Sequence, residues 1–371
     1  MITAVAGFLL LAVAGVAAVS IVRSRNLQYW LHSYCRWKAA ALVRRAVPPR
    51  HVYFCFADHF EPYGGGADHT LARRRVAKWV ERYPSLAAGH VDSFGNHPKH
   101  TFFYPAEEYD ADLVDQIARL CAKGMGDVEV HLHHDNDTAD NFRRLLVDYA
   151  STLHERHGLL RKDPASGRPI YAFIHGNWAL DNSRPDGRMC GVDNELGVLV
   201  DTGCYADLTM PSAPSDTQTR KINSIYFARG RSGARKSHDG GRDVRVGTWG
   251  EPGELLLVQG PLTLNWQDAK FGILPRIESA EISADAPPTA HRVRLWLGCR
   301  VSVRGAEEHV FIKVHTHGAT EPTMQMLFEG GGFEHLWGEL ERQCGAARGR
   351  TLRYVTAWEM YCRIRDLALS A

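Results

Sequence analysis

Gly126-Asp127-Val128-Glu129-Val130-His131-Leu132-His133-His134-Asp135-Asn136-Asp137 is the stretch on which the reading of this chain turns. Val128, Val130 and Leu132 alternate with polar residues, which is the period of a β-strand over Asp127–His133. The strand then runs directly into histidines and acids. Parallel β/α architectures gather their functional side chains at such C-terminal strand ends.

The same arrangement recurs on both sides. His51–Phe56 reads as a strand entering Ala57-Asp58-His59, Lys99–Tyr104 as a second strand, and Ile170–His175 as a fourth. Between them Thr70–Tyr83, which should end at Pro84, Asp110–Lys123, Ala139–His157 and Asn194–Thr202 have helical spacing. Glu254–Val258 and His291–Val303 read as strands, with the Pro-rich Asp285–Ala290 as a loop between them. His309–His315 reads as a late strand, and Glu334–Gly345 and Tyr354–Ala368 as closing helices. Arg229–Arg245, rich in Gly, Arg and Ser, reads as a mobile excursion with His238 on the surface. Alternation of this kind predicts an α/β fold, a parallel sheet or barrel with outer helices. Four strands then bring Asp58-His59, His131–Asp137, His175 and His315–His317 to one rim.

The 371 residues carry a net charge of +2, which gives no electrostatic footprint for nucleic acid. Eight cysteines are scattered with no C-x-x-C pair, and a disulfide framework is not expected in so large a chain. Ile2–Val22 is uncharged and nearly all Ala, Val, Leu, Gly and Ile, the length of a membrane-spanning helix. The nearby basic residues, from Arg23 and Arg25 to Arg50, all follow it, so the positive-inside tendency predicts a single-pass inner-membrane protein with a cytoplasmic domain. Leu27, Trp30, Leu31, Tyr34 and Leu42 then alternate with basic residues, either as an amphipathic helix on anionic lipid or as a linker packed on the domain. The expected organisation is a transmembrane anchor over 1–25, an amphipathic juxtamembrane segment over 26–49 and one catalytic domain over 50–371. Membrane lipid would be a partner through residues 1–47.

A hydrolytic metal centre needs a few N and O ligands with positions left open for water and substrate. His133 and Asp137 stand four apart, and His59 would complete a two-histidine, one-carboxylate set. His131 with Asp135 has the same spacing and is the competing register. Such a set suits zinc first, with cobalt, iron or manganese as alternatives.

These residues carry a resemblance. Phe56-Ala57-Asp58-His59 resembles the first motif of the NodB-like polysaccharide deacetylases, carbohydrate esterase family 4, where two successive aspartates supply a base and a metal ligand. Lys99-His100-Thr101-Phe102-Phe103 is similar to that family's second strand. Aligning Glu129 with its Gly-x-Glu-x3-His-x3-His stretch makes His133 and Asp137 the ligands. Asp201-Thr202-Gly203-Cys204-Tyr205 and Phe311-Ile312-Lys313-Val314-His315-Thr316-His317 resemble the turn after the third motif and the strand bearing the acid histidine. The resemblance spans roughly Val52–Leu367. The usual Arg-x-Pro-Tyr motif is replaced by His175-Gly176-Asn177-Trp178.

The resemblance implies a distorted (β/α) barrel of the polysaccharide deacetylase type behind the N-terminal transmembrane helix. It further implies a metal-dependent hydrolase that removes an N-acetyl or N-formyl group from an amino sugar, in a membrane-associated glycan or a polyprenyl-linked saccharide. Asp58 would be the base, His59, His133 and Asp137 the ligands, and His317 or His315 the acid. His175, Asn177 and Trp178 would line the sugar groove. A glycoside hydrolase on a related barrel, or a non-catalytic sugar-binding protein, are the competing expectations.

Overall fold

The computed structural model describes residues 15–16, 19–43 and 47–370. Among them the strands, in chain order, are β1 (His51–His59), β2 (His100–Pro105), β3 (Gly126–Leu132), β4 (Arg161–Lys162), β5 (Pro169–His175), β6 (Cys204–Asp207) and β7 (Ser224–Ala228). They continue with β8 (Arg242–Asp243), β9 (Leu255–Gln259), β10 (Thr263–Lys270), β11 (Leu274–Glu278), β12 (Glu281–Ile282), β13 (His309–Thr316) and β14 (Thr351–Val355). Apart from the β10–β11 hairpin, they form one sheet in the order β12-β13-β1-β2-β3-β5-β6-β9-β7-β8, with β14 added to β1 and β4 to β5. From β12 to β9 every pairing along that path is parallel, and β7 and β8 close it in antiparallel fashion.

β1 is the hinge of the arrangement. It pairs with β13 along His51–Asp58, while its other edge is shared by β14 over His51–Cys55 and β2 over Ala57–His59. Its two faces are both covered, which is why the strand reads as a continuous apolar run rather than an alternating one. Val52, Phe54 and Phe56 pack into the core shared with the helices, and Tyr53, Cys55 and Ala57 into a second core lined by Phe103, Ile174, Ala206, Leu256 and Phe311. This second, inner core also takes in Ala357, Met360 and Ile364 of the helix Ala357–Leu369. The β7 side is tied back to β13 by irregular chain, through Val244 N–H to Ile225 O, Arg304 N–H to Val244 O and Phe311 N–H to Val301 O.

The expected fold class is corrected on two counts. The architecture is mixed α/β on a large, mostly parallel sheet whose strand path is open from β12 to β8, in place of a (β/α) barrel behind a membrane anchor. Among the described residues no helix is long and apolar enough to cross a membrane, so the transmembrane helix and the single-pass inner-membrane placement are withdrawn. Most of the expected span Ile2–Val22 lies outside the described residues. The segment after it packs on the domain. Leu27 and Trp30, just before the helix Leu31–Val43, and Tyr34 in its first turn are buried against Ala213, Ile222 and Leu262, so the start of this segment is docked on the domain. Trp30→Ala is expected to cost about 3 kcal/mol of that docking. The check is limited proteolysis of the helix Leu31–Val43, which should become cleavable; unchanged protection would mean that Trp30 does not hold it.

Three local expectations also differ. His291–Val303 is not a strand: Thr289 caps a helix over Ala290–Cys299 that buries Val293, Trp296 and Leu297, an i, i+3, i+4 set read too readily as extended. The helix His69–Ala87 runs through Pro84, because its buried face of Val76, Trp79, Tyr83 and Ala87 continues past it. Arg229–Arg245 is anchored, with His238 fully buried and its carbonyl accepting from Tyr226 Oη and Thr219 Oγ1.

Candidate metal centre

The period of two along β1, β3 and β13 decides which side chains meet. In β1, His59 continues the inner row of Tyr53, Cys55 and Ala57, whereas Asp58 continues the helix-facing row of Val52, Phe54 and Phe56. In β3, Glu129 and His131 alternate with Val128, Val130 and Leu132 of the helix-facing core, and in β13 Phe311 and His315 share the inner row. The chain leaving β1 adds Glu61. It is positioned by Arg75, buried in the helix His69–Ala87, whose guanidinium donates to Pro62 O (2.7 Å), Gly64 O (2.8 Å) and Glu321 Oε1 and Oε2 (2.7 and 2.6 Å).

His59, Glu61 and His131 therefore converge, with one ligand atom from each lying within 4.8 Å of the others. His131 Nδ1 donates to Ile174 O (3.0 Å), and Nε2 faces Glu61 Oε1 at 3.1 Å. Burial holds His131 below the ordinary imidazole range, even with Glu61 beside it, which favours a neutral ring with an Nε2 lone pair able to meet a cation. His59 supplies a further donor: it is buried, its Nδ1 has no hydrogen-bond partner, and burial followed by the neighbouring histidines holds it well below the ordinary range. Although burial alone would raise Glu61, the imidazoles of His131 and His317 beside it hold its carboxyl well below the usual range.

Other histidines ring this trio. His133 Nε2 is 3.6 Å from Glu61 Oε1, while its Nδ1 is hydrogen-bonded to Glu107, which also accepts the His133 amide (3.1 Å). Burial lowers His133 but Glu107 more than offsets it, so its proton is retained above the ordinary range. His317 Nδ1 is 3.5 Å from Glu61 Oε2, and here too the carboxylate overcomes burial and raises the imidazole. The His317 ring centroid is 4.8 Å from that of His59, and the His315 ring 6.2 Å. His315 is buried, is pushed well below the ordinary range by burial and by Lys313, and packs edge-on to Trp178 at 5.3 Å. Trp178 also lies 5.8 Å from His59.

The remaining expected residues are elsewhere. Asp58 is fully buried away from the trio, accepting Gly318 N–H (2.7 Å) and pairing with His100 Nε2 (2.9 Å). Asp137 is turned to the start of the helix Ala139–His157, where Oδ1 accepts Thr138 N–H (2.7 Å) and Oδ2 lies 3.2 Å from His134 Nδ1. His175 is fully buried beside His134 and Glu195, so it cannot line an open groove. Asn177 is committed to His134 O (3.3 Å), which leaves Trp178 as the one expected groove residue beside the trio. In the competing register Asp135 is likewise occupied, accepting the Met189 amide.

Glu61 and Glu107 are the residues that sequence reasoning left without a ligand or proton-transfer role. Glu61 lies past a strand end beside Pro62, where a turn is an equal reading, and nothing local marks Glu107. Two glycines do carry a signal. A Cβ on Gly176 would stand 2.4 Å from the His133 ring, and one on Gly318 2.1 Å from Asp58 Oδ2, so both motifs need glycine for close approach.

No family model matches the chain, and no curated protein matches it. What stands is the chemistry: buried groups of His, Glu and Cys side chains that could hold a metal ion, the trio above and a second set, His134, His175, Cys190 and Glu195.

Proposed function

We propose that the protein is a metal-dependent amide hydrolase acting on N-acyl amino sugars, in the manner of the polysaccharide deacetylases. The observation that carries the reading is the convergence of His131 Nε2 on the Glu61 carboxylate at 3.1 Å, with the unpartnered His59 Nδ1 alongside, at the ends of parallel strands. The ligands are then His59, Glu61 and His131, a two-histidine, one-carboxylate set that suits zinc and leaves positions open. A bound divalent ion would polarise an amide carbonyl and lower the pKa of a water to about 7.

The protein's own groups account for the protons. His133 keeps its Nδ1 proton on Glu107, which leaves Nε2 facing the trio as the acceptor for a water proton once the ring is neutral. His317, whose proton is retained by Glu61, faces the same point and is placed to protonate the departing amine. His315, buried and neutral, is unsuited to that role. Trp178 offers a half-buried aromatic face beside the trio, a surface suited to a sugar ring. The proposal concerns the sugar alone, since the argument for a membrane-borne carrier rested on the withdrawn anchor.

The test is acetate or formate release from N-acetyl- and N-formyl-glucosamine oligomers by chelator-treated and zinc-reconstituted protein. Release that depends on added metal supports the reading. A folded protein that releases neither acid in either state overturns it.

A further inference from the structure

We propose that His134, His175, Cys190 and Glu195 form a second, structural zinc site that pins the loop following β5. It is a separate place from the trio. His134 and His175 continue the helix-facing rows of Leu132 and Phe173, and His134 stacks on Phe142 of the helix Ala139–His157. The sheet therefore stands between the two groups.

One ligand atom from each of the four residues lies within 4.8 Å of the others, and all four residues are buried. They come from the ends of β3 and β5, from the loop beyond β5 and from the first turn of the helix Glu195–Asp201. One thiol, two imidazoles and one carboxylate make a closed four-ligand set, and the thiolate favours zinc over magnesium, calcium or manganese. His175 Nε2 is fully buried without a hydrogen-bond partner and faces Glu195 Oε1 at 3.7 Å. The second shell is also present: His134 Nδ1 faces Asp137 Oδ2 at 3.2 Å, as ligating histidines commonly face a carboxylate.

An ion-pair network is the plain rival. An imidazolium at His134 between Glu195 and Asp137 would satisfy those three side chains. In it the Cys190 thiol donates to Glu195 Oε2 at 3.5 Å, but His175 Nε2 is left unpartnered. Zinc gives that nitrogen a partner and makes the thiol a ligand. On binding, the Cys190 thiol releases its proton to solvent, and the His175 proton resides on Nδ1, giving up the 3.2 Å contact from Asn177 N–H.

The site has a structural consequence. Between His175 and Cys190 the chain places Trp178, Asp181, Asn182 and Met189 at positive φ, a sparsely populated region for residues other than glycine. His175 on one side and Cys190 with Glu195 on the other bracket this strained segment. A metal joining them holds the loop closed and thereby fixes Trp178 against His59. The inference does not rest on the hydrolase reading.

The experiment loads the full chain with cobalt and measures metal content and the near-ultraviolet spectrum. A thiolate-to-cobalt charge-transfer band is expected, lost in Cys190→Ser together with one equivalent of metal and kept in His59→Ala. Because Cys190→Ser could unfold the loop by itself, alkylation of Cys190 in the unmodified chain is mapped by mass spectrometry. Protection with zinc and labelling after chelation support the site. A folded, cobalt-loaded protein without the band, or Cys190 labelling indifferent to zinc, overturns it.

Discussion

Glu61→Gln is expected to lower N-acyl sugar hydrolysis by about 10³-fold, the scale of losing a group that stabilises charge in the transition state. Glutamine keeps the volume and the position fixed by Arg75, so the fold should survive. What is lost is the charge. Glu61 faces Nε2 of His131 at 3.1 Å, Nε2 of His133 at 3.6 Å and Nδ1 of His317 at 3.5 Å, and among the described residues no other acid touches all three. Without it the ion loses its carboxylate and His317 loses the partner that retains its proton. Glu107→Gln, which loosens the hold on the His133 ring and its proton but leaves the trio in place, is expected to cause a smaller loss of about 10–100-fold. Metal analysis separates the causes: Glu61→Gln should lose bound metal at the trio, whereas Glu107→Gln should keep it. Activity in Glu61→Gln equal to that of the unmodified protein would remove the proposed centre.

The rim was legible from sequence in outline. Strand ends at His59, His131–Asp137 and His315–His317 were read at the right places, because the apolar alternation that marks a strand also marks where it stops. Their partition was not legible in the same way. Asp58 and His59 are neighbours in a strand, and neighbours face opposite sides, so the two were never going to serve one site unless β1 ended before them. β1 instead continues through His59, paired to β2 as far as Phe103. The same parity moves His134 away from His131, while Asp137 lies beyond β3 and is turned to the start of the helix Ala139–His157. Glu61 lies in irregular chain after β1 and Glu107 in the single 3-10 turn Ala106–Glu108 after β2, where direction is set by tertiary contacts such as Arg75 and the Tyr63 amide on Glu108 rather than by any longer period. The antiparallel β7–β9 pairing and the β10–β11 hairpin carry short or irregular patterns that an expectation of regular β/α alternation passes over.

Asp58→Ala is expected to destabilise the fold by about 3–5 kcal/mol, the cost of removing one partner from a buried pair. Its Oδ1 accepts the Gly318 amide, its Oδ2 meets His100, and neither Asp58 nor His100 is exposed at all. His100 sits among Phe56, Trp79, Tyr83 and Phe102, where no water replaces the lost acceptor. Alanine thus leaves a buried N–H and a buried ring nitrogen unpaired. Asp58→Asn discriminates between this anchoring role and that of a catalytic base. Its carbonyl can still accept from Gly318, and its amide can donate to His100 Nε2 if the ring moves its proton to Nδ1, which has no partner at present. An anchor therefore predicts that Asp58→Asn loses only about 1 kcal/mol and keeps most of the hydrolytic rate. A base predicts the reverse, a rate lowered by a factor of about 10² to 10⁴ in a protein of unchanged stability. Denaturant midpoints read beside initial rates for the two variants decide the matter. If it is an anchor, Asp58 acts on the reaction only by holding the turn at Gly318, and with it the neighbouring His317, against the end of β1.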